Sequence, residues 1–145
     1  MKQSAVKWGC WIPVFLLLLL PFSGYVVQEI RISDGRKALP SSAGNVKEHL
    51  THGWVGGDFW RLLKCRMPEE QYSDYAKSLG LYRRFDPVRD HELARTLNMR
   101  IGDAPAWWNP PAVDSNTYFE HEPGDDHLRV LRYHSGHVYY LVVSL

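Results

Sequence analysis

An uncharged run near the N-terminus constrains this chain most. Residues 8–27 contain no Asp, Glu, Lys, Arg or His, and Leu16 to Leu20 are five consecutive leucines. A helix rises about 1.5 Å per residue, so this run covers the roughly 30 Å hydrocarbon layer of a bilayer. We therefore predict a membrane segment over residues 1–27, with the rest of the chain delivered to a membrane or carried across one.

Two interpretations of the membrane segment remain open. A cleaved signal peptide needs small residues near its end, and Ser23 and Gly24 are followed by bulky Tyr25. This favours an uncleaved signal-anchor helix. However, Pro21 would shorten the apolar stretch if the helix ends there, and that favours cleavage.

The flanking charges predict the orientation. Lys2 and Lys7 precede the apolar run, and basic residues tend to stay in the cytoplasm. We expect a single-pass membrane protein with a cytoplasmic N-terminus and its domain outside the cytoplasm. If the segment is cleaved, the domain is secreted or periplasmic.

Composition bounds the remaining chain. The net charge of +1 gives no strong field toward nucleic acid, so no nucleic-acid partner is expected. We predict a tether or irregular lead-in over residues 28–52, with one helical turn near residues 46–50, and a globular domain over residues 53–145. Cys65 lies in an apolar alternating pattern and is predicted to be buried.

One strand and two helices are predicted in the first half of this domain. Residues 58–67 alternate between apolar and more polar positions, which is typical of a half-buried strand. Pro68 and Gly80 then suit the start and end of a helix. Asp86 and Pro87 repeat the start signal, so a second helix is predicted from Pro87 to about Asn98.

A three-stranded meander is predicted at the C-terminus. Thr117–His121 forms a short strand, and residues 128–134 pair with residues 137–144 through a two-residue turn at Ser135-Gly136. The last strand is apolar on both faces and is placed centrally. The fold class is α+β: a transmembrane helix, then a two-layer domain with an antiparallel sheet of about four strands and one or two helices on one face.

The most unusual string is Trp107-Trp108-Asn109 followed by two prolines. Adjacent tryptophans on a rigid turn provide a large contact area for sugar rings or a peptide. Together with Trp54 and Trp60 they are the candidate binding residues. The structural alternative is that one tryptophan caps the core while the prolines fix the loop.

A second candidate site lies in the turn that contains His121, Asp125, Asp126 and His127. Imidazole and carboxylate groups are ligands for Zn²⁺ or Ca²⁺. The spacing matches no closed metal site, and Pro-Gly-Asp-Asp is ordinary turn chemistry, so a solvated turn is the alternative.

These patterns favour a non-enzymatic, membrane-tethered binding or accessory domain with a protein or glycan ligand and no cofactor. The second hypothesis is a small hydrolase or metal-dependent enzyme that uses the acidic, His-containing turn. The third is a subunit of a larger membrane assembly, in which Trp8, Cys10 and Trp11 pack against partner helices.

Overall fold

Six strands of this small domain form one antiparallel sheet. The computed structural model describes residues 33–52, 59–121 and 127–144. The strands are β1 (Gly44–His52), β2 (Phe59–Arg66), β3 (Arg83–Arg84), β4 (Tyr118–His121), β5 (His127–His134) and β6 (His137–Ser144). Their order across the sheet is β1-β2-β6-β5-β4-β3. The sheet is therefore wider than the four strands predicted.

Helices are few and short in the described part of the chain. They are α1 (Asp34–Lys37), α2 (Tyr72–Ser78) and α3 (Ala94–Leu97), with 3-10 turns at Glu69–Gln71 and His91–Leu93. The helix predicted after Pro68 is confirmed, and Gly80 follows it with a positive φ of 74°. The helix predicted from Pro87 to Asn98 is largely wrong, because a turn, a 3-10 turn and one short helix occupy that stretch.

The C-terminal hairpin is confirmed with its register. Leu131 pairs with Tyr140 and Tyr133 pairs with Val138. Ser135 and Gly136 both have positive φ, 49° and 77°, which is the backbone of a type I′ turn. β6 lies between β2 and β5, so its predicted central place is also confirmed.

Both faces of the sheet carry a hydrophobic core. On the first, here called the helix face, α2 packs on odd-numbered residues of β2 such as Leu63 and Cys65. On the second, here called the loop face, α3 and residues 98–113 pack on Leu62 and Leu141. The predicted two-layer arrangement with one covered face is therefore wrong. Because β2, β5 and β6 bury apolar side chains on both sides of the sheet, each side needs its own cover.

The first strand corrects the predicted lead-in. Residues 44–52, expected to be irregular with one helical turn, pair with β2 along their length and form one edge of the sheet. A register irregularity between Gly44 and Lys47 interrupts the alternation, and Asn45 has a positive φ of 51°. This bulge hides the strand pattern, because Val46 and Leu50 then resemble one helical turn.

The predicted membrane segment over residues 1–27 lies outside the described residues. Among the residues that are described, no helix has the length and hydrophobicity needed to span a bilayer.

Candidate functional site

The predicted aromatic site lies on the loop face. Residues 98–113, here called the aromatic loop, cross the sheet without regular structure. Trp107 and Trp108 are half-buried and pack against the loop-face core. Their rings are almost perpendicular, at 87°, with centroids 6.1 Å apart. Trp108 also meets Tyr139 of β6 edge-on at 5.8 Å. The two tryptophans therefore anchor the loop and still expose part of their surface.

Lys64 of β2 holds the middle of the aromatic loop. Its ammonium donates to the carbonyl oxygen of Trp107 at 3.2 Å and to Oδ1 of Asn109 at 2.8 Å. It also lies 4.7 Å from the centroid of the Tyr139 ring. An ammonium has three donors, and two are occupied by loop oxygens. Asn109, predicted as a ligand contact, therefore orients Lys64 while remaining exposed itself.

Arg132 of β5 ties both ends of the aromatic loop to the sheet. Its guanidinium donates to the carbonyl oxygens of Leu97, at the end of α3, and of Pro111. The residue is 6% exposed. Burial lowers the pKa of Arg132 to about 10, so the group is still a cation at neutral pH. A buried charge is tolerated here because irregular backbone leaves carbonyls that need strong donors.

Trp60 shares the loop face with this site but lies farther along β2. It pairs with Thr51 of β1 and Val143 of β6 and is half-buried. Trp60 and Lys64 are four positions apart on the strand, a distance of about 13 Å. Thr51 Oγ1 beside it is buried, with no hydrogen-bond partner in the described part of the chain. Trp54 lies outside the described residues.

The predicted metal ligands fall on both sides of the sheet. His121 pairs with Leu128, which belongs to the loop-face core. Side chains alternate along a strand, so His127 projects toward the helix face. Asp125 and Asp126 lie outside the described residues. Within the described ranges, no three His, Cys, Asp or Glu side chains are grouped as metal ligands. The register thus separates the two imidazoles.

Cys65, the cysteine predicted to be buried, lies on the helix face. It is fully buried, as predicted, and burial raises the pKa of its thiol to about 11. The thiol is therefore protonated at neutral pH, which makes it a poor nucleophile.

Sequence reasoning missed the cations of this site. Lys64 and Arg132 each follow two apolar residues on the same strand face, and this change from apolar to basic was the available signal. A cation on an apolar face predicts a nearby set of oxygens, but it does not predict which segment supplies them.

Comparisons of the chain with models of known protein families, with curated proteins and with solved structures gave no match.

Proposed function

We propose that this chain is a membrane-tethered binding or accessory domain that works outside the cytoplasm, without catalysis, through its aromatic loop. The observation that carries the proposal is the perpendicular Trp107–Trp108 pair, which is partly exposed. Lys64 donates to the carbonyl oxygen of Trp107 and fixes the backbone of the pair. The uncharged residues 8–27 support the tether, and Lys2 and Lys7 support a cytoplasmic N-terminus.

The way the loop is fixed supports a binding role. Indole rings have few rotatable bonds, so ordering them on a ligand costs little conformational entropy. Arg132 fixes the two ends of the loop, and Lys64 fixes its centre. A surface fixed before the ligand arrives binds more tightly than one that must be ordered. We expect a glycan or a protein segment as ligand.

Iodide quenching of tryptophan fluorescence tests the surface. The full chain in nonionic detergent micelles is compared with Trp107→Phe and Trp108→Phe. If these indoles are exposed in the folded protein, each substitution lowers the iodide-accessible fraction of the emission. Unchanged quenching in both variants would show that the pair is sealed in the core and would remove the main support for the proposal.

A ligand screen tests the function itself. Glycan and peptide arrays are probed with the parent chain, with Trp107→Ala and with Tyr82→Ala as the matched control. Tyr82 is an aromatic residue with 76% exposure in the segment between α2 and β3. The proposal requires binding that Trp107→Ala abolishes and Tyr82→Ala retains. An equal loss of binding in both variants would show that the binding is non-specific.

A further inference from the structure

Two lysines lie directly opposite each other beside the aromatic loop. Lys47 of the edge strand β1 is the register partner of Lys64 on β2, so both side chains project from the loop face. Register partners in an antiparallel pair lie about 4.5–5.5 Å apart at Cα. Like charges at this position destabilise a sheet. We call Lys47 and Lys64 the lysine pair.

No carboxylate in the described residues forms an ion pair with the lysine pair. The ion pairs of the described chain involve other cations, which are Arg36, Lys37, Arg61, Lys77, Arg83, Arg89 and Arg129. Lys64 contacts a carbonyl, an amide oxygen and an aromatic ring. Within the described residues, no acidic side chain therefore offsets the repulsion between the two ammonium groups.

The edge strand separates its charges by face. Glu48, next to Lys47 in sequence, projects to the helix face and pairs with Arg61 at 3.2 Å and Arg36 at 3.8 Å. His49 follows on the loop face opposite Leu62. Glu48 is therefore paired with arginines on the helix face. The basic residues Lys47 and His49 on the loop face remain available to bind an anion.

We infer that the lysine pair and the aromatic loop together bind a carboxylate-bearing saccharide. This inference rests on the proposed binding function and adds the chemical class of the ligand. The carboxylate would lie between the two ammonium groups, and a sugar ring would contact the exposed indole surface of Trp107 or Trp108. Lysine acts as a point charge and does not require a bidentate partner, which suits a carboxylate on a ring.

The observations favour a saccharide over an acidic peptide. The Lys64 ammonium lies 4.7 Å from the centroid of the Tyr139 ring, and Tyr139 meets Trp108 edge-on at 5.8 Å, so the charge lies beside aromatic side chains. A uronate presents the same pairing, because its carboxylate is bonded to a ring carbon beside the apolar C–H face of the sugar. An acidic peptide would be recognised mainly by charge, with little dependence on the tryptophans.

Three probes separate these possibilities when titrated onto the full chain in nonionic detergent micelles. The first is an oligogalacturonate, the second is its methyl ester, which has the same rings without the charge, and the third is polyglutamate. Binding is followed by calorimetry at low and high salt. We expect the methyl ester to bind at least about tenfold more weakly than the acid, and the affinity for the acid to fall as salt rises.

Charge reversal at Lys47 is the decisive variant. Lys47 is exposed, so Lys47→Glu should fold normally, which far-UV circular dichroism checks. Lys77→Glu is the matched control, because Lys77 is an exposed lysine of α2. We expect Lys47→Glu to weaken oligogalacturonate binding about tenfold and Lys77→Glu to change it less than about twofold.

Each alternative outcome overturns the inference in a recognisable way. Equal affinity for the acid and its ester, or equal effects of Lys47→Glu and Lys77→Glu, would exclude the lysine pair as a carboxylate site. The proposed binding function would still hold if Trp107→Ala abolished that binding. Polyglutamate binding that persists in Trp107→Ala would assign an acidic peptide instead. Absence of binding to all three probes would also overturn the saccharide assignment.

Discussion

The two faces of the sheet are covered by different means. On the helix face, α2 forms its own backbone hydrogen bonds. Its hydroxyl contacts come from neutral tyrosines, and the partly exposed Arg129 donates to the Leu79 carbonyl at its C-terminal end. The Tyr72 hydroxyl, for example, lies 2.8 Å from the carbonyl oxygen of Leu131. On the loop face, the covering segment has no regular hydrogen bonding, and the cations Lys64 and Arg132 donate to its carbonyls. Irregular backbone needs external donors, and charged donors are the strongest ones available.

This contrast explains where an exposed aromatic surface forms. A helix packed on a sheet directs its apolar side chains inward, so few aromatic faces remain exposed. A loop fixed through its backbone leaves its side chains free to point either way. Trp107 and Trp108 are therefore both anchored and partly exposed, whereas Tyr75 of α2 is 2% exposed. The stronger hold on the loop backbone is what permits the exposed indoles.

The largest expected effect comes from two adjacent leucines on opposite faces. Leu62 and Leu63 are 0% and 1% exposed, so truncating either to alanine leaves a cavity and costs about 3 kcal/mol of unfolding free energy. Chemical denaturation measures both. Because Leu62 shares its core with Trp107 and Trp108, we expect Leu62→Ala to increase the iodide quenching of these tryptophans. Leu63 belongs to the core on the other face, so Leu63→Ala should leave the quenching unchanged. Equal quenching changes would show that the two cores respond as one.

The second effect compares two arginines of the same strand. Arg132→Met leaves the Leu97 and Pro111 carbonyls without their donor, which should cost about 2–3 kcal/mol. Arg129 is the matched control on the helix face, where it donates to the Leu79 carbonyl at 2.8 Å and pairs with Glu120. Arg129→Met should cost about 1 kcal/mol, because this pair is partly exposed.

Denaturation and tryptophan quenching distinguish the two arginine variants. Arg132→Met should also loosen the aromatic loop, whereas Arg129→Met should not. If the two variants lost equal stability, the idea that buried cations hold the loop face would be wrong.

The third effect tests a charge in the turn that leads into α3. The Asp90 carboxylate accepts from the backbone N–H of Asp86 at 2.9 Å and pairs with Arg83. The hydrogen bond from Asp86, followed by the charge-assisted bond from Arg83, lowers the pKa of Asp90 below its usual 3.8. Asp90→Asn should cost about 1–2 kcal/mol at pH 7 through the lost charge-assisted bonds.

The sign of the pH dependence follows from the lowered pKa. The unfolded chain binds a proton to Asp90 more readily than the folded protein does, so the stabilisation is complete above the unfolded pKa. It is lost as the pH falls through the folded pKa. The difference between the parent and Asp90→Asn should therefore shrink below about pH 4 in denaturation curves. A difference that grows on acidification would contradict this assignment.

The sequence predicted the parts of the fold that repeat a simple pattern. The hairpin of β5 and β6 follows from alternation and a two-residue turn, and α2 follows from its proline start and helical spacing. β1 was missed because its polar residues suit an edge and its bulge breaks the alternation. β3 contains two arginines, a pattern without a strand signal.

The candidate site was predicted only in part for the same reason. Trp107 and Trp108 attract attention by composition, but the partners that fix them come from β2, β5 and β6. Long-range contacts of an irregular loop have no period, so nothing local predicts that Lys64 lies under residue 107 or that Arg132 reaches residue 111.

The smallest expected loss of stability comes from removing one neutral hydrogen-bond donor on the helix face. The Tyr75 hydroxyl donates to the carbonyl oxygen of Gly35 at 2.7 Å and ties α1 to α2. Gly35 packs so closely on the Tyr140 ring that a Cβ there would lie 2.7 Å from a ring carbon. Tyr75→Phe should cost about 1 kcal/mol and increase hydrogen exchange at the amide of Ala38, while Tyr82→Phe should change neither.

The pH dependence of the stability lost in Tyr75→Phe distinguishes a neutral hydrogen bond from the charged contact of Asp90. Burial raises the pKa of Tyr75 well above its usual value, so the hydroxyl stays a neutral donor throughout the accessible range. The penalty of Tyr75→Phe should therefore stay constant between about pH 4 and about pH 9, because no proton is gained or lost on unfolding there. In contrast, the stability lost in Asp90→Asn should decrease below about pH 4. A Tyr75→Phe penalty that changed with pH across this range would mean that a titrating group is coupled to this hydroxyl contact, and the assignment of Tyr75 as a neutral donor would be wrong.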